Sequence, residues 1–360
     1  MRTPLSATLP DFPWNLLEPA KQRAAEHPDG MINLSVGSPI DEVAPGIQLA
    51  LAEAAAPGGY PQTIGTPELR EAITASLQRR YQVQGAPGVL PVIGTKEAIA
   101  LLPMLLGIRG TVLIPEVAYP TYEVAALVAG ATPLRASTPP EDASGIDLVF
   151  INSPSNPTGA VSTLEELRAW VAWGREHNVI IASDECYLGL CWEGEALSIL
   201  HPDVCDGDFS NLLAIHSLSK TSNLAAYRSG FFAGDEALLA ELTEVRKHTG
   251  LMMPGPIQAA TVAALNDDAQ EELQQLRYAK RRAVLYRALS DASFRIEHSQ
   301  AGLYLWITRD EDCWDTVQWF AERGVLVAPG EFYGPEGQRF VRVALTAPME
   351  QIEQVAARLA

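Results

Sequence analysis

The chain has 360 residues, with 26 Lys and Arg against 44 Asp and Glu, which gives a net charge of −18. Binding to nucleic acid or to an anionic membrane surface requires clustered positive charge, so this composition argues against both. The four cysteines form no Cys-x-x-Cys pair and have no histidine at zinc-ligand spacing, so we expect no metal site. Because the first residues lack the apolar core of a signal peptide, and no apolar run is long enough to span a bilayer, we expect a cytoplasmic protein.

Short apolar segments alternate with amphipathic ones through most of the chain. The apolar segments predict strands at residues 32–36, 89–93, 111–114, 148–151, 179–183 and 212–216. The amphipathic segments predict helices at residues 67–81, 96–106, 121–128, 163–177 and 236–247. Apolar strands that alternate with helices are typical of a largely parallel sheet with helices on both faces, so we expect an α/β fold.

The pattern changes near Pro256. A long helical segment is predicted from there to about residue 289. Short strands, predicted at residues 303–307, 325–327 and 340–344, then mix with helices. This part of the chain is expected to form a second, smaller α+β unit.

Lys220 differs from the other four lysines in lying at the end of a predicted strand. It follows residues 212–216 in the segment Ser217-Leu-Ser-Lys220, and ligands of open α/β sheets bind at that carboxyl edge. Partial desolvation lowers the pKa of a lysine held there, which makes Lys220 a candidate for forming a Schiff base. Three other lysines lie in charged helical segments, where a solvated helix face is the ordinary interpretation.

The same segment also spells Ser-x-x-Lys, the nucleophile motif of penicillin-recognising enzymes. Those enzymes need separate Ser-Asp-Asn and Lys-Thr-Gly elements later in the chain, and this sequence has neither. A P-loop is also rejected, because Gly88, Gly94 and Lys96 have the wrong spacing and no Gly-Lys-Ser/Thr follows.

Four further segments place polar or aromatic residues directly after predicted strands. In Gly94-Thr-Lys-Glu97 a strand leads into a helix, whose first N–H groups form a natural phosphate site. Asp184 ends another strand, where a carboxylate is more often a helix cap than a catalyst. The remaining two segments are Pro115-Glu-Val-Ala-Tyr119-Pro-Thr-Tyr122, which offers aromatic faces, and Asn152-Ser-Pro-Ser-Asn156-Pro-Thr-Gly159. Each segment is a weak signal alone, and only their conjunction is informative.

In chain order, these four segments resemble motifs of the fold-type I, class I and II aminotransferases, which depend on pyridoxal phosphate. The segment Ser-Leu-Ser-Lys220, with Arg228 eight residues later, resembles a further motif of the same family. The resemblance covers nearly the whole chain. It implies a large cofactor-binding domain, residues 41–275, built on a mostly parallel sheet of the seven-stranded type. Residues 1–40 and 276–360 would form the smaller α+β domain.

The resemblance implies three catalytic residues. Lys220 would bind the cofactor covalently and later move the proton between the substrate and the cofactor. Asp184 would pair with the pyridine nitrogen, which makes the ring an effective electron sink. Tyr187, together with Asn156, would bind the phenolic oxygen of the cofactor.

The remaining implied roles are in binding. Arg342 would hold the substrate α-carboxylate in bidentate fashion, with Gly37 and Asn156 beside it. Without the resemblance, Arg342 would be interpreted as a surface residue at a strand end. Among the other cofactor contacts, Tyr119 would stack on the ring. The phosphate would be bound by Thr95, the backbone of Lys96, Ser217 and Arg228. The protein would be a homodimer, and Tyr60 of the second subunit would also bind the phosphate.

Residues 9–14, 34–41 and 59–63, and the short chain, are similar to the actinobacterial succinyldiaminopimelate aminotransferases of lysine biosynthesis. This implies amino transfer between N-succinyl-LL-2,6-diaminopimelate and 2-oxoglutarate. The alternatives are a class I or II aminotransferase with an aspartate-type or aromatic donor, or a pyridoxal-phosphate lyase on the same fold. A regulatory protein without turnover is disfavoured, because such proteins carry a basic DNA-binding module and this chain has none.

Two residues beside the motifs are expected to have no catalytic role. Cys186, which precedes Tyr187, is expected to point to the other face if its segment stays extended. His216 is interpreted as a strand residue whose polar atoms are satisfied.

Overall fold

The computed structural model describes residues 4–56 and 58–360. Thirteen strands form within these two ranges. They are β1 (Ile32–Asn33), β2 (Gly88–Ile93), β3 (Thr111–Ile114), β4 (Thr132–Arg135), β5 (Ile146–Asn152), β6 (Ile180–Asp184), β7 (Leu212–Ser217), β8 (Ser229–Gly234), β9 (Arg295–Glu297), β10 (Tyr304–Thr308), β11 (Val325–Leu326), β12 (Ala328–Pro329) and β13 (Val341–Ala344).

The same ranges contain thirteen α-helices. They are α1 (Glu18–Ala25), α2 (Pro45–Glu53), α3 (Pro67–Tyr81), α4 (Thr95–Leu105), α5 (Thr121–Ala129), α6 (Leu164–His177), α7 (Pro202–Cys205), α8 (Leu218–Thr221), α9 (Glu236–Thr249), α10 (Gly255–Leu265), α11 (Asp268–Asp291), α12 (Cys313–Ala321) and α13 (Met349–Leu359). None of the helices in this part of the chain has the length and apolarity needed to cross a membrane.

The large sheet confirms the predicted α/β fold. Its strand order is β2-β8-β7-β6-β5-β3-β4, and the pairs from β7 to β4 are all parallel, whereas β8 runs antiparallel to both of its neighbours. Side chains alternate between the two faces, as β5 shows: Leu148 and Phe150 join one apolar core, and Val149 and Ile151 join the other. Helices bury both cores, which leaves the carboxyl edge of the parallel strands open for a site.

The structure differs from the prediction at several elements, which include two strands of the large sheet and one helical segment. The strands β4 and β8 were not expected: β4 contains Pro133, and β8 reads Ser-Gly-Phe-Phe-Ala-Gly, which has low intrinsic strand preference. Pairing with strands on both sides and complete burial stabilise β8 despite its composition. The single helix predicted from about residue 256 to 289 is two helices, because Asp267 caps α11 by accepting a hydrogen bond from the Gln270 N–H.

The smaller unit is built on a four-stranded sheet, β12-β13-β10-β9, whose strands are antiparallel. Strand β1, near the start of the chain, pairs in parallel with β11, so residues 32–33 pack with the C-terminal part of the chain. The boundary predicted at residue 275 lies within the continuous helix α11, and the domain limits stay a prediction. Residues 1–3 of the predicted N-terminal segment lie outside the described residues.

Candidate active site

A cavity of about 770 Å³ lies at the carboxyl edge of the large sheet, between it and the smaller unit. All but one of the predicted site residues line it. These are Gly37, Thr95, Lys96, Tyr119, Asn156, Asp184, Tyr187, Ser217, Lys220, Arg228 and Arg342. The exception is Tyr60, whose side chain is 94% exposed and which the family resemblance predicts to reach the site of a second subunit.

Lys220 lies in the one-turn helix α8, directly after β7, and the amine of its side chain donates a hydrogen bond to the Gly37 carbonyl. Burial lowers the pKa of Lys220, and the charges of Arg342 and Arg228 lower it further, although Tyr304 and Cys186 oppose the shift. A lysine with a lowered pKa is more readily neutral and therefore more nucleophilic. The structure thus places a reactive amine at the centre of the cavity wall.

Asp184 ends β6 and is buried. Its carboxylate accepts hydrogen bonds from the Tyr122 hydroxyl at 2.7 Å and from the Cys186 N–H at 3.2 Å. Burial raises the pKa of Asp184, and the hydrogen bonds from Cys186 and Tyr122 oppose that rise. A buried carboxylate of this kind favours a cationic partner across the cavity, such as a protonated ring nitrogen.

Arg228 and the first turn of α4 form an anion site. Gly94, which precedes the helix, has a φ of 75°, and a Cβ added there would overlap the Arg228 guanidinium. Arg228 itself has a φ of 60°, and its Nη1 donates to the Ala225 carbonyl at 2.9 Å. The free N–H groups of a helix N-terminus and a guanidinium both favour a phosphate. The Lys96 amine lies 5.7 Å from the centre of the Phe12 ring, on the side of the N-terminal segment.

Replacing Gly94 with alanine is expected to weaken phosphate binding, because the new Cβ displaces Arg228. We expect the dissociation constant of pyridoxal phosphate to rise about ten- to a hundredfold, measured by equilibrium dialysis with absorbance detection. Gly130→Ala is the matched control: Gly130 has a φ of 77°, but a Cβ added there meets no atom within 4 Å. Gly94 has a ψ of 152° and Gly130 a ψ of 20°, so alanine is more strained at Gly94, and the stability of each variant is measured beside its cofactor affinity. Equal losses of cofactor affinity in the two variants would contradict the assignment.

Arg342 projects from β13 and is 3% exposed, so the interpretation as a surface strand-end residue is wrong. Its Nη1 donates to Asn156 Oδ1 at 2.8 Å and its Nη2 to the Ser35 carbonyl at 2.7 Å. Its buried Nε has no hydrogen-bond partner among the described residues. A buried guanidinium with an unsatisfied donor indicates a site for a carboxylate.

Cys186 faces the cavity rather than the opposite side, which corrects the sequence-based expectation. Strand β6 ends at Asp184, and the turn that follows places the Cys186 thiol 3.4 Å from the Thr95 hydroxyl. His216 packs as a strand residue, with its ring stacked between Tyr81 and Phe231. The expectation that its polar atoms are satisfied is wrong: its Nε2 lies 3.1 Å from a Glu185 carboxylate oxygen but has no hydrogen-bond partner among the described residues. That contact is poorly aligned, because neither atom meets the geometry of a hydrogen bond.

Three groups of residues in the site were missed by the sequence analysis. Tyr122 binds Asp184, and Tyr304 of β10 lies 3.2 Å, hydroxyl to hydroxyl, from Tyr187. The N-terminal segment forms an apolar cavity wall that includes Phe12 and Trp14. In the sequence, Tyr122 and Tyr304 look like ordinary residues on the apolar faces of a helix and a strand. No local sequence pattern shows which side chains come into contact when the elements pack.

The cavity residues fit pyridoxal phosphate. An anion site, an amine and a buried carboxylate occur in one cavity, and Tyr119 lines it with an aromatic face. The overlap of a Gly94 Cβ with Arg228 shows that the phosphate end tolerates only glycine without rearrangement. Within residues 4–56 and 58–360, no cluster of His, Cys, Asp and Glu could hold a metal ion.

Comparisons with known proteins agree with this reading. The family model for aminotransferase class I and II matches residues 29–359. A probable aminotransferase of Mycobacterium tuberculosis is 55% identical over 99% of this chain and 86% of its own length. The 4-dedimethylamino-4-oxo-anhydrotetracycline transaminase OxyQ of Streptomyces rimosus is 51% identical over 98% of this chain and 99% of its own. The solved structure of a probable N-succinyldiaminopimelate aminotransferase from Thermus thermophilus has a TM-score of 0.82 and 29% identity, covering 96% and 98% of the two chains.

Proposed function

Because the chain belongs to the class I and II aminotransferases, which depend on pyridoxal phosphate, we propose that it moves an amino group between N-succinyl-LL-2,6-diaminopimelate and 2-oxoglutarate. The observation that carries this choice is the charge of the cavity. Its lining contains four basic residues, Lys96, Lys220, Arg228 and Arg342, against two acidic ones, Asp11 and Asp184. Arg228 suits the phosphate, Lys220 the amine chemistry and Arg342 the α-carboxylate. Lys96 is then left to bind a second carboxylate.

We propose that Lys96 binds the distal carboxylate of the substrate. Its amine is above the Phe12 ring, on the N-terminal wall of the cavity. The proposed donor and 2-oxoglutarate both carry a carboxylate beyond the reacting carbon, so one cation would serve both half-reactions. The structural similarity to the Thermus thermophilus protein supports the same donor.

A second candidate is an aminotransferase for aromatic or bulky apolar substrates. Phe12, Trp14 and Tyr119 line the cavity together with aliphatic side chains, so most of its wall is apolar. The 51% identity to a transaminase named for an anhydrotetracycline substrate supports this candidate. Apolar walls bind such rings through burial of surface.

The cavity residues would have separate roles in the reaction. When bound, pyridoxal phosphate supplies an aldehyde for the amino group and a ring that takes up the electrons released at the substrate α-carbon. Lys220 would move the proton from that carbon to the aldehyde carbon of the cofactor in one half-reaction and in the opposite direction in the other, and Asp184 would hold the proton on the ring nitrogen. Arg342 binds the α-carboxylate. Because Asn156 Oδ1 accepts from Arg342, its amide nitrogen is left to donate to the phenolic oxygen.

A panel of amino donors, each assayed with 2-oxoglutarate, tests the proposal. We expect N-succinyl-LL-2,6-diaminopimelate to give the highest kcat/KM, and Lys96→Met to lower that value about ten- to a hundredfold because a charged hydrogen bond is lost. Phenylalanine, which has no distal carboxylate, is the control donor and should be affected little. A preference for aromatic donors that Lys96→Met leaves unchanged would favour the second candidate. A product formed by elimination, with no conversion of the cofactor to its amine form, would indicate a lyase.

We also propose that the protein is a homodimer with shared sites. Tyr60 is 94% exposed and lies outside the cavity of its own chain, and Leu49 and Ile64 in the same part of the chain are also exposed. Exposed apolar side chains of this kind favour an interface. Tyr60 would then reach the phosphate site of the partner.

Mixing two inactive variants, Tyr60→Ala and Lys220→Ala, tests this arrangement. A mixed dimer carries both lesions in one site and neither in the other, so exchange of subunits is expected to restore partial activity. Activity that fails to return, although Tyr60→Ala alone is impaired and exchange is demonstrated, would rule out shared sites. A monomer in sedimentation at assay concentration would do so directly.

A further inference from the structure

Tyr187 and Tyr304 form a buried pair that joins the two parts of the fold. Tyr187 follows β6 of the large sheet and Tyr304 begins β10 of the smaller one, and both are almost fully buried. Their hydroxyl oxygens are 3.2 Å apart, and their rings meet edge to face with centres 5.9 Å apart. Each phenol has one hydrogen, so only one of the two can donate within the pair, and the other is left to donate elsewhere.

The surroundings of the two hydroxyls are different. The Arg342 guanidinium carbon is 3.9 Å from the centre of the Tyr304 ring. Burial alone would raise the pKa of Tyr304, but the charges of Arg342 and Lys220 lower it. Burial raises the pKa of Tyr187 well above its ordinary value, and Tyr304 adds to the rise. Either hydroxyl could donate at this distance, and the guanidinium over the Tyr304 ring favours Tyr304 as the donor and Tyr187 as the acceptor.

Gly37 makes room for the Tyr304 hydroxyl. A Cβ added at Gly37 would overlap that hydroxyl, and the Gly37 carbonyl accepts from the Lys220 amine. The Tyr304 hydroxyl is therefore seated against the segment that binds Lys220. This close fit favours one defined position for the Tyr304 side chain, including its hydroxyl.

We propose that Tyr304 is a positioning residue: its hydroxyl donates to the Tyr187 hydroxyl and thereby leaves the Tyr187 hydrogen to bind the phenolic oxygen of pyridoxal phosphate. The inference rests on the proposed function, because it takes Tyr187 as a cofactor ligand. A donor that itself accepts a hydrogen bond is a stronger donor, since the two bonds polarise each other. Because Tyr304 also lines the cavity, the double variant is needed to separate an effect that passes through Tyr187 from a direct one.

The test uses the holoenzyme without substrate and the variants Tyr304→Phe, Tyr187→Phe and the double variant. The readout is the pH midpoint of the visible absorbance change of the bound cofactor. A donor at the phenolic oxygen stabilises its anionic form and favours loss of the cofactor proton, so losing the donor raises the midpoint. We expect Tyr304→Phe to raise it by about half a pH unit to one unit, and the double variant to shift no further than Tyr187→Phe alone.

Tyr333→Phe is the matched control. Tyr333 is also buried and its ring lies 5.1 Å from the Arg342 guanidinium carbon, but its hydroxyl has no hydrogen-bond partner among the described residues. Its substitution is expected to leave the midpoint unchanged. An unchanged midpoint in Tyr304→Phe, or a double variant whose shift equals the sum of the single shifts, would overturn the proposal. If borohydride fixes no cofactor to Lys220 in the wild type, the proposed function itself fails. That outcome is distinct from a failure of the proposed role of Tyr304.

Discussion

Replacing Lys220 with alanine is expected to remove covalent attachment of the cofactor and to lower turnover about a thousandfold or more. The structure provides the reason: Lys220 lines the cavity, and burial together with the charges of Arg342 and Arg228 lowers the pKa of its amine. No other lysine in the described cavity wall except Lys96 could replace it, and Lys96 lies over Phe12. The measurement is borohydride reduction of the holoenzyme followed by peptide mapping, with turnover assayed in parallel.

Lys280→Ala is the control for this variant, because Lys280 is exposed on α11 and lies outside the cavity. It should keep both the covalent cofactor and the turnover of the wild type. Cofactor that borohydride still fixes to the protein after Lys220→Ala, with mapping to another lysine, would show that the assignment is wrong.

Replacing Asp184 with asparagine is expected to leave the cofactor bound while lowering turnover about a hundred- to a thousandfold. An amide cannot stabilise a positive charge on the ring nitrogen, so the electron-accepting capacity of the ring falls. Tyr122 would still donate to the amide oxygen, whereas the amide nitrogen cannot accept from the Cys186 N–H, so the cofactor dissociation constant reports whether this strand end keeps its structure. The measurements are kcat with the best donor of the panel and the cofactor dissociation constant.

Glu185→Gln is the matched control for Asp184→Asn. Glu185 is the next residue and is equally buried, but its carboxylate accepts from the Ile199 N–H at 2.7 Å and does not line the cavity. Folded Glu185→Gln protein is expected to turn over within a few fold of the wild type. Comparable losses in both variants would mean that the loss in Asp184→Asn comes from disturbed packing of this strand end.

The parts of the fold that could be predicted are those whose pattern is local. Strands such as β5 and β7 are continuous apolar runs, and α6 begins with a capping box formed by Thr163 and Glu166. The strand β8 could not be predicted, because its glycines and alanine carry no strand signal and its stability comes from pairing with β2 and β7. Tertiary pairing of this kind has no signature in the segment itself.

The candidate site shows the same division. Lys220, Asp184 and Asn156 follow predicted strands, and the carboxyl ends of parallel strands meet at one edge, so their proximity follows from the topology. The contacts of Tyr122 with Asp184 and of Tyr304 with Tyr187 depend on how a helix and a second sheet pack. The burial of Arg342 has a related cause: its segment alone looks like a surface strand end, and only the family resemblance, not the local pattern, predicted a place for it in the site.

The pairing of β1 with β11 has a consequence for how the chain folds during translation. Ile32 pairs with Val325, and the N–H of Leu34 donates to the Leu326 carbonyl at 2.7 Å. The Ser35 and Gly37 carbonyls that bind Arg342 and Lys220 follow directly in the chain. On the ribosome, these first residues emerge long before their partners and cannot be ordered by them. The nascent chain can assemble most of the large sheet during translation, but the substrate side of the cavity closes only after the last strands have left the exit tunnel.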